Sequence, residues 1–209
     1  MSRYGKISNT PFVRHRVTMA YCYWDGAFTE SELLDIENHC ENFEKVDGEE
    51  STSEGYTKIR KSKVKFFERH DSPELNFLFE KFNHLIWSIN DDYYNFELNG
   101  YESIQYTQYN GNESGEYGYH IDMMTGDSIA KNGFLNGDTR KLSVVLFLSE
   151  PQSYEGGKFT IKISETETEI EQIRGRIIFF PSFFLHKVHP VTNGIRRSIV
   201  TWVEGPKFR

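Results

Sequence analysis

Cysteine is scarce: Cys22 and Cys40 are the only two in 209 residues. They form no CxxC pair and no metal spacing, and two thiols are too few for a disulfide framework, so both are expected to be reduced and structural. Long apolar runs are missing as well. No stretch approaches the ~18 residues that a membrane-spanning helix needs, and the opening Met-Ser-Arg-Tyr-Gly-Lys has no apolar signal segment, so the chain reads as soluble and cytoplasmic. Positive charge is in the minority, with 24 Lys+Arg against 31 Asp+Glu and a net charge of −7. That argues against a nucleic-acid footprint, which needs clustered Lys and Arg, although a local basic groove stays compatible with it. There is no internal repeat and no linker long enough to divide the chain.

Aromatic residues are plentiful: 17 Phe, 12 Tyr and 3 Trp make up 15 % of the chain. With 37 % hydrophobic and 26 % charged residues, the composition is globular rather than disordered. A single domain over 1–209 is expected, large enough to remove roughly 70 % of the extended chain's surface from water. Either an enzyme or a binding domain fits these numbers.

Residues 1–99 read as supporting helices and strands. Thr29 and Glu32 make a capping box, and Leu33, Leu34, Ile36, Cys40 and Phe43 continue it as a helical stripe. Residues 45–58 are acidic, polar and Gly-bearing and read as a surface loop, and 58–67 alternate like one strand. After Ser72-Pro73, the residues Leu75, Leu78, Phe79, Phe82, Leu85, Ile86 and Ile89 recur at helical spacing until the 90–95 stretch breaks the pattern. From residue 100 to 205 short β-type runs dominate, near 103–109, 117–122, 141–149, 158–164, 168–173, 176–180, 185–189 and 196–203. The expected fold is mainly β with supporting helices (α+β), its β part a sandwich, barrel or jelly roll.

Three features in the β region carry chemistry. In Tyr117-Gly118-Tyr119-His120-Ile121-Asp122, side chains alternate, so His120 and Asp122 share a face. His186 sits in an apolar run, with His189 three residues on, and Arg196 and Arg197 open a later strand. Each alone is common: an H-x-D by chance, a core histidine, a surface arginine. Together, two His and one Asp supply the facial triad of non-haem Fe(II) sites, which leaves positions open for ligands.

In these segments, residues 100–205 resemble the iron(II) and 2-oxoglutarate-dependent dioxygenases, nearest to the PKHD-type and prolyl 4-hydroxylase-like group. The resemblance rests on Gln105-Tyr106-Thr107-Gln108-Tyr109, the H-x-D segment, 140–149, Tyr154-Glu155-Gly156-Gly157-Lys158-Phe159 and 186–196. It implies a double-stranded β-helix (jelly roll), with His120, Asp122 and His186 as catalytic iron ligands. Arg196 would bind the distal carboxylate of 2-oxoglutarate, and Tyr109 would touch the cosubstrate or line the site. The family spacing of ten between ligand and arginine selects His186 over His189. Strand parity puts Arg196 with Ser198 and Trp202, and Arg197 with Ile199 and Thr201, so Arg197 is expected at the surface or ion-paired. Phe147 stands where some relatives place a second tyrosine, so Arg196 needs another hydrogen-bonding partner. Gly156-Gly157 reads as a bulge or turn, and Met123–Thr139 as a mobile substrate lid.

The resemblance further implies Fe(II), 2-oxoglutarate and O2, with ascorbate as possible support, and hydroxylation of a C–H bond with release of succinate and CO2. A prolyl residue in a peptide or protein is the expected substrate. The alternatives are a small molecule or free amino acid, or a metal-binding jelly roll without catalysis.

Overall fold

A computed structural model describes residues 14–17, 21–41, 45–48, 60–101, 103–123 and 138–208. In chain order the elements are β1 (Arg14–Val17), β2 (Cys22–Asp25), α1 (Glu30–Glu41), β3 (Val46–Asp47), β4 (Arg60–Lys61), β5 (Lys63–Phe67) and α2 (Asn76–Ile89). There follow β6 (Ile104–Asn110), β7 (Glu116–His120), β8 (Thr139–Phe147), β9 (Tyr154–Gly156), β10 (Phe159–Lys162), β11 (Glu167–Ile170), β12 (Ile177–Pro181), β13 (Leu185–Val188) and β14 (Val191–Gly205).

Two antiparallel sheets result. The larger runs β1-β2-β12-β8-β14-β6-β5-β3, with β9 added at the start of β14, and the smaller runs β11-β10-β13-β7-β4. From β6 onward the chain passes back and forth between the sheets: β6, β8, β12 and β14 lie in the larger, β7, β10, β11 and β13 in the smaller. This alternation is that of a double-stranded β-helix, and it brings the ends of β7, β13 and β14 to one interior.

Period-2 alternation builds two cores on the two faces of the larger sheet. Leu142, Val144 and Leu146 of β8 and Ile177 and Phe179 of β12 point outward against Leu33, Ile36, Phe79, Phe82 and Ile86 of the helices. The intervening Val145, Phe147, Ile178 and Phe180 point inward against Phe159, Ile161 and Val188. The helices thus form an outer layer that stiffens the sheet. The helix start at Thr29 is the capping box expected: Thr29 N–H donates to Glu32 Oε2 at 2.7 Å, and Glu32 N–H to Thr29 Oγ1 at 3.3 Å.

Four expectations need correction or bounding. The 58–67 stretch is not one strand: it breaks at buried Ser62, so that β4 joins the smaller sheet and β5 the larger. The 90–95 stretch does not end α2 at once, because Asn90–Tyr94 continue it as a wider π turn that stops at Asn95, in the left-handed region with φ 52°. The expected lid falls largely on 124–137, and the expected acidic loop largely on 49–59, both outside the described residues. Cys22 and Cys40 are free and buried.

Candidate active site

His120 ends β7 and His186 sits opposite it on β13, the two residues being Cα partners. The next pair in register is Val188 with Tyr117, so β7 carries one extra residue between its pairings. Such a bulge turns Tyr117 and His120 to the same face, and their rings stack at 3.5 Å between centroids. Asp122 lies just beyond the strand, held because its backbone N–H donates to Ser182 O at 2.9 Å. Strand alternation therefore pointed to the right pair by a slightly wrong route: a turn anchored on Ser182 brings Asp122 to the histidines.

The three side chains converge. His120 Nε2 is 3.5 Å from Asp122 Oδ1 and His186 Nε2 is 3.3 Å from Asp122 Oδ2. The candidate donor atoms all lie within 4.8 Å of one another, and among the described residues no other group of His, Cys, Asp and Glu does this. Each imidazole is oriented by its far side: Nδ1 of His120 faces Gly118 O and Nδ1 of His186 faces Phe184 O, both at 2.9 Å. A carbonyl can only accept, so each Nδ1 carries the proton and each Nε2 lone pair is aimed at the cluster. Burial, then the neighbouring His186, pushes the His120 pKa down to about 4, which keeps this ring neutral and able to ligate. Burial pushes the Asp122 carboxyl up, but the imidazoles beside it, His186 first and then His120, hold it well below the usual carboxylate range. Two neutral nitrogens and one carboxylate oxygen suit a divalent first-row metal such as Fe(II).

Behind the cluster Ser143 Oγ donates to Asp122 Oδ2 at 2.7 Å and lies 2.9 Å from Ser182 Oγ. Since the single Ser143 proton goes to the carboxylate, Ser182 donates to Ser143. Outer hydrogen bonds of this kind set ligand orientation, so Ser143→Ala is expected to weaken metal binding by about 10–100-fold. Titration with Co(II) checks this, and affinity within twofold of wild type contradicts it.

Arg196 enters the same interior from β14 and is 2 % exposed. Its Nε–H donates to Gln172 Oε1 at 2.6 Å, Tyr154 is in hydrogen-bonding contact with the guanidinium, and its Cζ lies 5.4 Å from the Tyr109 ring centroid and 5.6 Å from that of Phe147. Among the described residues no carboxylate pairs with it. Burying a cation without a counter-ion costs on the order of several kcal/mol, so the arrangement suits an incoming anion. Gly156 and Gly157 make this approach possible: both have positive φ (74° and 61°), and a Cβ on Gly157 would stand 3.0 Å from Arg196 Cδ. Tyr109 is buried beside Arg196, and Phe147 offers only its ring, the phenol at hand being Tyr154.

Arg197, by contrast, points to the helix layer, its Nε 3.0 Å from Glu41 Oε1 on α1. His189 is turned away from the cluster, with Nε2 3.3 Å from Thr160 Oγ1. At the other side of the cluster, Arg140 lies over the Trp202 ring at 4.0 Å, and its charge is felt at Asp122. Arg140 Nε and Trp202 Nε1 are buried without a hydrogen-bond partner. Ser143, Ser182, Gln172, Tyr154 and Arg140 were not singled out from the sequence. Only the H-x-D parity rule, extended to Ser143 as an inward residue of β8, could have found one of them.

Two histidines and an aspartate inside a double-stranded β-helix define the class of the non-haem metal oxygenases. Residues 104–204 match the family described as the 2OG-Fe(II) oxygenase superfamily. The family and the donor set together imply Fe(II) and 2-oxoglutarate, and both the triad and the uncompensated Arg196 fit them. A PKHD-type hydroxylase of Rippkaea orientalis is 38 % identical over 91 residues, covering 42 % of this chain and 37 % of that protein. The chain therefore spans well under half the length of the curated relatives it matches. By fold it is similar to a Pseudomonas putida prolyl-4-hydroxylase, with TM-score 0.70 at 17 % identity over 90 % of this chain and 94 % of that one. It is also similar to a Trichoplax adhaerens prolyl hydroxylase solved with a hypoxia inducible factor peptide fragment, with TM-score 0.69 at 20 % identity over 89 % and 84 %. No helix among the described residues is long and apolar enough to cross a membrane.

Proposed function

We propose that the protein is an Fe(II)- and 2-oxoglutarate-dependent dioxygenase that hydroxylates a prolyl residue in a peptide. The observation that carries this is the buried cluster of two Nε2 lone pairs and one carboxylate, with an uncompensated guanidinium on the same interior. The net reaction is R–H + O2 + 2-oxoglutarate → R–OH + succinate + CO2, in which one oxygen atom enters the substrate and the other enters succinate. When bound, iron supplies the activation of O2 that couples this decarboxylation to cleavage of the C–H bond.

The chain's own residues do the rest. His120, Asp122 and His186 hold the metal on one face, and Ser143 and Ser182 fix the carboxylate. Arg196 meets the distal carboxylate of 2-oxoglutarate, a planar fork suited to a carboxylate's two oxygens. Phe180 and Phe159 pack on the His186 ring and Tyr117 on His120, an apolar lining that keeps water out. On the opposite side the free Nε–H groups of Arg140 and Trp202 are two buried donors that a peptide carbonyl can satisfy. Those donors, together with the PKHD-type and prolyl hydroxylase relatives, support a peptide over a free amino acid.

Purified protein given Fe(II), ascorbate and 2-oxoglutarate is expected to form succinate slowly alone and faster with proline-containing peptides, each product gaining one oxygen atom by mass spectrometry. Stimulation by free amino acids but by no peptide would move the substrate to a small molecule. Bound iron without any succinate would leave a non-catalytic jelly roll.

A further inference from the structure

We propose that Gln172 is a positioning residue for Arg196 whose neutrality sets the affinity for the dicarboxylate cosubstrate; this rests on the reading of Arg196 as the carboxylate ligand. The Gln172 amide is fixed at both ends. Its Oε1 accepts from Arg196 Nε at 2.6 Å and its Nε2 donates to Gly157 O at 3.0 Å. The opposite amide orientation would set donor against donor and acceptor against acceptor, so these two partners determine it. Gln172 thereby ties the loop before β12 and the glycine turn before β10 to one guanidinium.

Three other arginines on this fold are handled differently. Arg174 is paired with Glu30 and Glu37, Arg176 with Asp25 and Glu171, and Arg197 with Glu41. Arg196, the most deeply buried of these, is instead surrounded by an amide, a phenol and two aromatic rings. A carboxylate at 172 would satisfy the same Nε–H just as well and would neutralise the cation. The amide satisfies the donor and leaves the full positive charge for the ligand. A resident carboxylate would compete with the incoming one and repel it.

The test is binding of N-oxalylglycine, an unreactive isostere of 2-oxoglutarate, to Mn(II)-loaded protein by calorimetry. Gln172→Glu is expected to weaken binding by at least about tenfold, and the neutral Gln172→Met, which loses only the tether, by less. In turnover the KM for 2-oxoglutarate should rise without a matching fall in kcat. With 2-oxovalerate, which has no distal carboxylate, wild type and Gln172→Glu should bind alike. A purely structural role predicts instead that Gln172→Met, which loses both hydrogen bonds, is the worse variant. That order, or Gln172→Glu binding within twofold of wild type, overturns the proposal. Wild-type protein that binds Mn(II) but no N-oxalylglycine overturns the cosubstrate reading as well, so the two failures are distinguishable.

Discussion

Asp122→Ala is expected to abolish succinate formation, by about a thousandfold or more, and to remove tight metal binding, while the metal-free protein keeps its fold. The carboxylate is the only anionic donor of the cluster and faces the Nε2 atoms of both imidazoles, at 3.5 Å from His120 and 3.3 Å from His186. Without it two neutral nitrogens remain in an apolar setting, one donor short of the facial triad and with no negative charge to offset a dication. The fold should survive because the Asp122 side chain bonds only within the site, and the backbone N–H of residue 122 still donates to Ser182 O after the change. Three measurements separate site from fold: Co(II) uptake, succinate yield and the melting temperature without metal. Full succinate formation by Asp122→Ala would sink the ligand assignment, and His186→Ala should match it.

Much of this site was legible because strand alternation is a strict rule once a strand is recognised. It separated Arg196 from Arg197 correctly: one is buried in the barrel, the other sits against Glu41. The capping box at Thr29 was equally readable, being local in sequence. What could not be read depends on chain segments meeting in space. Ser62 breaks the 58–67 strand because its two halves are claimed by different sheets, which no propensity within ten residues reports. The extra residue in β7 places Tyr117 on His120, although simple alternation would put positions 117 and 120 on opposite faces. Gln172 looks like an ordinary loop glutamine until residues 157 and 196 are brought to it by the crossing of β14 with β9.

Arg196→Ala should raise the dissociation constant for 2-oxoglutarate by on the order of a hundredfold or more, because truncating one partner of a buried charge pair leaves the other charge buried and unmatched. Metal uptake should be nearly unchanged, since no triad atom bonds to Arg196. Arg196→Lys should recover only part of the loss: the ammonium restores charge but not the planar fork, and it has no equivalent of the Nε–H that Gln172 holds. Arg197→Ala is the matched comparison, one residue away on the same strand. Its ion pair with Glu41 is partly exposed, with side chains 27 % and 41 % accessible, so its loss should change stability by about 1 kcal/mol or less and leave the cosubstrate KM alone. Equal effects of the two alanine variants on KM would refute the assignment by parity. A large effect confined to Arg196 with metal binding intact would separate charge recognition from metal binding, because the two variants remove the same side chain from opposite faces of one strand.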